Sequence, residues 1–357
     1  MSSSASARPA DSQYFSTTLP PALAVLNLPD TEAYLERIGL PTSLASAPPS
    51  LELLEKLLIH QHLSIPFSSA SIHVPAKDWI GENKAIELRR GPGMELGRKN
   101  FERVILKRQG GYCYSTNPLC AAFLRGFGFR VSEIGARVYL HRGKDPRQAG
   151  IWWSQMTHVA LLVDWEGSEE RWLFDIGFGG GASPIPIALR DGATCGSLSP
   201  SESFMLKKES LPIGDLTTII DPPQGWTLYR RVVPDGVTIE DHAKAGEGPG
   251  YWTPAQHLTI ATIAPEDMVV ADFYSSKHPE AAWTNAFISS LLLPNGARRT
   301  LVHGISALQR GAPDDEKTYA KLYTKGTVAG KETDVEWVPF ETGPIREVLG
   351  REFGYRF

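Results

Sequence analysis

Cys113, His158 and Asp175 are the side-chain types that together perform nucleophilic acyl chemistry: a thiol to attack, an imidazole to hold its proton and a carboxylate to orient the imidazole. Cys113 lies in Gln109-Gly110-Gly111-Tyr112-Cys113-Tyr114-Ser115-Thr116-Asn117-Pro118. The Gly pair lets the backbone approach another group closely. Residues 115–118 read as the first turn of a helix that Leu119, Ala122 and Phe123 carry forward and Gly126 and Gly128 stop. Cys113 then stands at or near a helix N-terminus, where the partial positive charge favours an anionic sulfur. Taken alone, a free cysteine is equally well explained as a small buried hydrophobe, and Cys120, on the apolar stretch of the same helix, is read that way.

His158 and Asp175 flank two apolar runs, 159–163 and 171–174, joined through Asp164-Trp165-Glu166-Gly167-Ser168. A two-residue Glu166-Gly167 turn would set His158 directly opposite Asp175 in an antiparallel pair, both side chains on one face. A slip of one residue would separate them. A strand-end histidine and a turn aspartate are the bland readings of each. Their mirrored placement about one turn, in a chain with an activated-looking cysteine, favours a Cys-His-Asp site.

The elements that must position these residues change character along the chain. Helical spacing marks 30–39, 51–66 and 97–107, so the first part reads as a helical layer. Short β-branched and aromatic runs follow at 129–131, 134–140, 157–163, 171–176, 205–208 and 226–233, as in a small barrel or sheet. A helix at 265–274, two strands at 284–293 and 299–305 turning at Pro294-Asn295-Gly296, and a helix at 343–353 complete the chain. The expected division is a disordered tail at 1–20, a helical bundle at 21–128 carrying Cys113, a β-barrel at 129–233 carrying His158 and Asp175, an insertion or linker at 234–251, and an α/β lid at 252–357.

Bulk properties narrow the function. An apolar fraction of 42% and a net charge of −4 describe a globular protein without a basic field for nucleic acid or an anionic membrane. Nothing reads as a membrane span or a secretory signal. Three cysteines, with no CxxC pair and no clustered Cys/His spacing, argue for a reducing, cytoplasmic setting and against a metal.

Gly110-Gly111-Tyr112-Cys113, Thr157-His158 and Phe174-Asp175-Ile176-Gly177-Phe178-Gly179 resemble, in order and spacing, the three signature segments of the arylamine N-acetyltransferases. Ile65-Pro66-Phe67 resembles an early segment of that family, and Phe287-Ile288-Ser289 with Pro294-Asn295-Gly296 resembles its late strand pair. The length and insertions look like those of fungal members. The resemblance implies an α+β fold: a helical bundle, a β-barrel and an α/β lid around a cysteine-protease-like Cys-His-Asp core. It also implies ping-pong acyl transfer from acetyl-CoA or malonyl-CoA, through a Cys113 thioester, to an arylamine or arylhydrazine in xenobiotic metabolism. Val138 and Phe178 would line the acceptor pocket, and Gly179, Gly180 and Gly181 would lie near coenzyme A, with ordinary core and a plain loop as the competing readings.

The sequence departs from the family at Gln109, where Arg is usual, with Arg108 adjacent. It departs also at Ser68-Ser69, in place of Glu-Asn, and at Ser115-Thr116, in place of Gln or Glu. The long segment 139–157, with Arg142, Lys144, Arg147 and Trp152-Trp153, reads as a solvated loop or a contact for CoA phosphates. Two other readings of the chain remain: a papain- or transglutaminase-like cysteine hydrolase, and a non-catalytic binding protein.

Overall fold

The computed structural model describes residues 25–73, 84–88, 97–141, 144–199, 201–212, 223–233, 250–306, 308–309, 311–312, 318–326 and 331–357. The expected tail, nearly all of the insertion, and Arg142 lie outside them.

The N-terminal part is a helical bundle. α1 (Leu28–Arg37) starts at Asn27, whose side chain accepts from the Asp30 N–H at 2.9 Å. α2 (Leu51–Ser64) starts at Ser50, which accepts from the Leu53 N–H at 3.2 Å. Each cap satisfies a donor that the first helical turn leaves open. A short strand, β1 (Phe67–Ser68), and one helical turn, α3 (Ala70–His73), follow. α4 (Gly97–Phe101) runs on into a π-helical stretch, Glu102–Leu106, and α5 (Cys113–Gly126) crosses the bundle. Tyr34 of α1 stacks on Phe123 of α5 with ring centres 3.8 Å apart, and its hydroxyl donates to Gln61 Oε1 at 2.7 Å.

Eight antiparallel strands form the central sheet. They are β2 (Arg130–Val138), β3 (His158–Asp164), β4 (Trp172–Phe174), β5 (Ile187–Ala188), β6 (Ala193–Gly196), β7 (Ser203–Ser210), β8 (Gln224–Val232) and β9 (Tyr251–Thr262), in the order 5-4-3-2-9-8-7-6. The end strands β5 and β6 approach each other, so the sheet curls into a nearly closed barrel. A short helix, α6 (Pro146–Ala149), interrupts the β2–β3 connection. β3 is buried on both faces. Leu161 and Val163 pack with the helices, while Ala160 and Leu162 point into the barrel. That is why the run 159–163 is continuously apolar instead of alternating.

The last part has α7 (Pro265–Lys277), α8 (Ala282–Asn285), a second sheet and α9 (Thr342–Phe353), which ends at Gly354 with φ +71°. The sheet comprises β10 (Phe287–Leu292), β11 (Arg298–His303), β12 (Tyr319–Lys325) and β13 (Glu332–Pro339), with β1 added at its edge beside β10. Phe287, Leu301, Leu322, Ile345 and Leu349 form its core with α9.

Three sequence expectations change. The boundary at 252 falls inside the barrel, because β9 lies between β2 and β8 and belongs to the eight-stranded sheet. The helix expected to open at 115–118 opens at Cys113, with Pro118 inside it. The β3–β4 pairing is Leu161↔Phe174, Leu162↔Leu173 and Val163↔Trp172, not the register that a turn at Glu166-Gly167 would give. The connection is longer, and the shift is two residues. An even shift preserves the face, so His158 and Asp175 stay together as diagonal neighbours.

A buried carboxylate ties the barrel to the second sheet. Glu202 meets Arg230 of β8 at 2.7 Å and Arg298 of β11 at 2.9 Å. Burial alone would raise its pKa, but the two guanidinium groups outweigh burial and bring it down to about 2. A depressed carboxylate contributes stability above its ordinary pKa and loses it as pH falls through the folded value. We therefore expect Glu202→Gln to lose about 3 kcal/mol at pH 7. Urea denaturation should show the difference between variant and parent shrinking only below about pH 4.5.

Candidate active site

Cys113 is the first residue of α5 and is 4% exposed, set among Phe67, Tyr112, Tyr114, Val159 and Met268. The helix begins there because Tyr112 is extended and its carbonyl accepts from the N–H groups of Ser115 and Thr116. The N–H groups of Cys113 and Tyr114 precede the helical ladder and point from its N-terminal end. Two glycines make the approach possible. A side-chain carbon on Gly110 would lie 2.3 Å from the Pro66 carbonyl oxygen, and one on Gly177 would lie 2.5 Å from Cys113 Cα.

His158 opens β3 on the barrel side, opposite Ala136. Its Nε2 lies 2.8 Å from Asp175 Oδ2, which leaves Nδ1 for the hydrogen bond that the ring shares with the Cys113 sulfur. Burial would lower the His158 pKa. The charges of Asp175 and Cys113, and hydrogen bonds to both, overcome burial and push it up to about 10. Asp175 shows the converse: burial raises it, but His158⁺ and hydrogen bonds from Asn117 and Gln256 hold it below the usual carboxylate range. The three residues singled out in the sequence therefore meet.

Two supporting side chains were not singled out. Asn117 Nδ2 donates to Asp175 Oδ1 at 2.9 Å and to the Val159 carbonyl at 2.6 Å, while its Oδ1 accepts from the Ile176 N–H at 3.0 Å. Gln256 Nε2 donates to Asp175 Oδ2 at 3.1 Å, and the Gly177 N–H donates to Oδ1 at 2.9 Å. Asn117 was legible in principle: four residues after Cys113 on a helix is the same face. Gln256 has a fainter signal, one amide at an inward position between Pro254 and Leu258.

Phe178 lies edge-on to the His158 ring, with centres 5.0 Å apart, in the barrel core, and Val138 packs against that core beside Gln256. Gly179, Gly180 and Gly181 form a single 3₁₀ turn. Gly179 and Gly180 line a small cavity together with Phe67 and Arg298; Gly181 packs against Phe178.

The Gln109 side chain donates to the Arg356 carbonyl at 3.3 Å, and the Arg108 carbonyl accepts from Arg37. The guanidinium at the Gly pair is instead that of Arg103, which donates to the Gly110 carbonyl and to Asn100 Oδ1. Ser69 ties β1 to β10, its Oγ accepting from the Ile288 N–H at 3.0 Å and donating to the Ala286 carbonyl at 3.1 Å. In the 139–157 segment Lys144 is exposed and Arg147 is paired with Asp145. Among the described residues no group of three or more His, Cys, Asp or Glu could hold a metal ion, and no helix is long and apolar enough to cross a membrane.

Because a raised imidazole pKa contributes stability below about 6.5 that is lost only as pH rises through about 10, His158 should stay charged across the neutral range. Ring-carbon NMR should show no His158 titration between about pH 6 and 8.5, and Asp175→Asn should bring the transition back into that window. Gln256→Leu removes one of the hydrogen bonds that hold the Asp175 carboxylate down and should raise the Asp175 pKa while leaving the fold intact; an unchanged Asp175 titration would deny Gln256 this part.

Comparison with known proteins places the chain. An N-acetyltransferase family profile matches residues 50–329. An arylamine N-acetyltransferase / N-hydroxyarylamine O-acetyltransferase of Salmonella typhimurium is 25% identical over 283 residues, 77% of this chain and 81% of that protein. An N-malonyltransferase of Fusarium pseudograminearum is 23% identical over 262 residues, 72% of this chain and 68% of that protein. The solved arylamine N-acetyltransferase of M. smegmatis superposes with a TM-score of 0.61 at 22% identity, covering 93% of each chain, and so shares the fold. With the family profile spanning more than half of its length, the chain belongs to the N-acetyltransferase family, the family its signature segments resemble.

Proposed function

We propose that this chain is an acyl-CoA-dependent arylamine N-acetyltransferase in which Cys113 is the nucleophile, His158 the proton carrier and Asp175 its orienting anion. The observation that carries the reading is the hydrogen-bonded run from Asp175 through His158 to Cys113 at the start of α5, in a chain of this family. The sulfur attacks the thioester carbonyl of the donor. The N–H groups of Cys113 and Tyr114 face the oxygen as it becomes negative. The carbon–sulfur bond to coenzyme A breaks, and the imidazolium gives its proton to the departing thiolate. Neutral His158 then takes a proton from the amine nitrogen as it attacks the Cys113 thioester, and the Cys113–acyl bond breaks. The imidazolium is restored as sulfur leaves.

Phe178 and Val138 would meet the aromatic acceptor from the barrel side, and Gly179 and Gly180 would meet the donor at the cavity. Acetyl is the acyl group suggested by most of the relatives, and malonyl by the Fusarium relative. The apolar setting of Cys113 supports transfer over hydrolysis, because it keeps water from the thioester. Sparse, unpaired cysteines support a cytoplasmic location.

Brief mixing with acetyl-CoA or malonyl-CoA, without acceptor, should add the mass of one acyl group to the intact protein, mapped to Cys113 and absent from Cys113→Ala. A folded protein that gains no mass from either donor would refute the reading. Asp175→Asn should slow acylation at least about a hundredfold by releasing the imidazole from its orientation and charge.

A further inference from the structure

The cavity beside the site carries a charge that the acyl-transfer steps do not use. It is small and is lined by His62, Phe67, Gly179, Gly180, Ser290 and Arg298, among others. It begins where the surroundings of Cys113 end. Phe67 belongs to the apolar cluster around Cys113, and Ile288, two residues before Ser290 on the same face of β10, packs against that cluster.

Its wall is positive. Glu202, 4% exposed, is shared by Arg230 and Arg298, two cations on one anion, which leaves one positive charge in excess. Arg298 Nη2 makes that pair at 2.9 Å. The rest of its side chain runs beside Gly180, where an added carbon would lie 3.5 Å from Cδ and 3.7 Å from Nε. The bare glycine therefore leaves the flank of the guanidinium open to the cavity. His62 supplies no second charge, since burial lowers its pKa to about 4. Its single ring N–H faces the backbone carbonyls of Asp175 and Ser183. The cation of Arg298, anchored from behind, suits an anionic oxygen far better than an apolar chain.

We propose that Arg298 is a specificity-determining cation that pairs with an anionic oxygen of the acyl donor. The proposal rests on the acyl-CoA reading of the site. The anionic oxygen belongs either to the terminal carboxylate of a malonyl-type acyl group or to a phosphate of coenzyme A.

Four donors separate these sources: acetyl-CoA, malonyl-CoA, acetyl-pantetheine and malonyl-pantetheine, the last two lacking phosphate. The variant is Arg298→Gln. Arg299→Gln is the control, since it removes the neighbouring cation on β11, paired with Glu352, without touching the cavity or Glu202. Rates of Cys113 acylation are read by intact mass. Arg298→Gln should lose roughly tenfold or more on the donors that carry the recognised anion. A loss confined to the two malonyl donors assigns the carboxylate, and a loss confined to the two CoA donors assigns the phosphate. Arg299→Gln should stay within about twofold of the parent on all four. An equal loss on every donor, a loss matched by Arg299→Gln, or no loss at all overturns the proposal. If the parent protein is acylated by none of the four, the acyltransferase reading itself fails, which is a separate and recognisable result.

Discussion

A carboxylate taken out of water must be answered by donors, and Asp175, 4% exposed, is answered by four. His158 Nε2 comes from β3, Asn117 from α5, Gln256 from β9, and the Gly177 N–H from the turn after β4. Desolvating such an ion costs several kcal/mol unless its oxygens are matched. The matching donors belong to the bundle, to two strands of the barrel sheet and to its rim. Bundle and barrel therefore cannot separate without stranding this charge, and the site is held by the same contact that holds the domains.

The proton chemistry follows from that constraint. Burial of an imidazole ordinarily disfavours its charge, yet His158 is held as a cation chiefly by the buried Asp175 carboxylate it meets. Phe178 closes its edge with a ring that offers no competing hydrogen bond.

Much of this was legible in the sequence because it rests on local rules. The Gly pair, the helix after Cys113 and the mirrored runs around 164–168 each obey short-range preferences. The pairing of His158 with Asp175 survived an error in the turn because the error was even, and parity alone decides the face. What was not legible is non-local. β9 follows β8 in the barrel only after the 234–249 stretch, so its membership in the sheet is decided by pairing with β2, more than 110 residues earlier. Gln256 looks like a blemish in an apolar strand until Asp175 is set beside it. Arg103 brings a guanidinium to the Gly pair from a π-helical turn whose spacing differs from the 3.6-residue pattern.

The segment from Asp175 to Gly180 explains why β4 is so short. Strand geometry would send successive side chains to alternate faces at fixed spacing, but this run has to do different things at nearly every position. Asp175 delivers its charge inward. Gly177 must carry no side chain, because Cys113 lies against it. Phe178 turns back onto His158, and Gly179 adopts φ +70° so that the chain passes the Phe67 ring at contact distance. Gly180 then leaves room for Arg298. No regular ladder satisfies these demands, so pairing stops at Phe174 and the loop takes over. The outcome is one sulfur approached from two sides: Phe178 borders the barrel side and Gly179 and Gly180 border the cavity side.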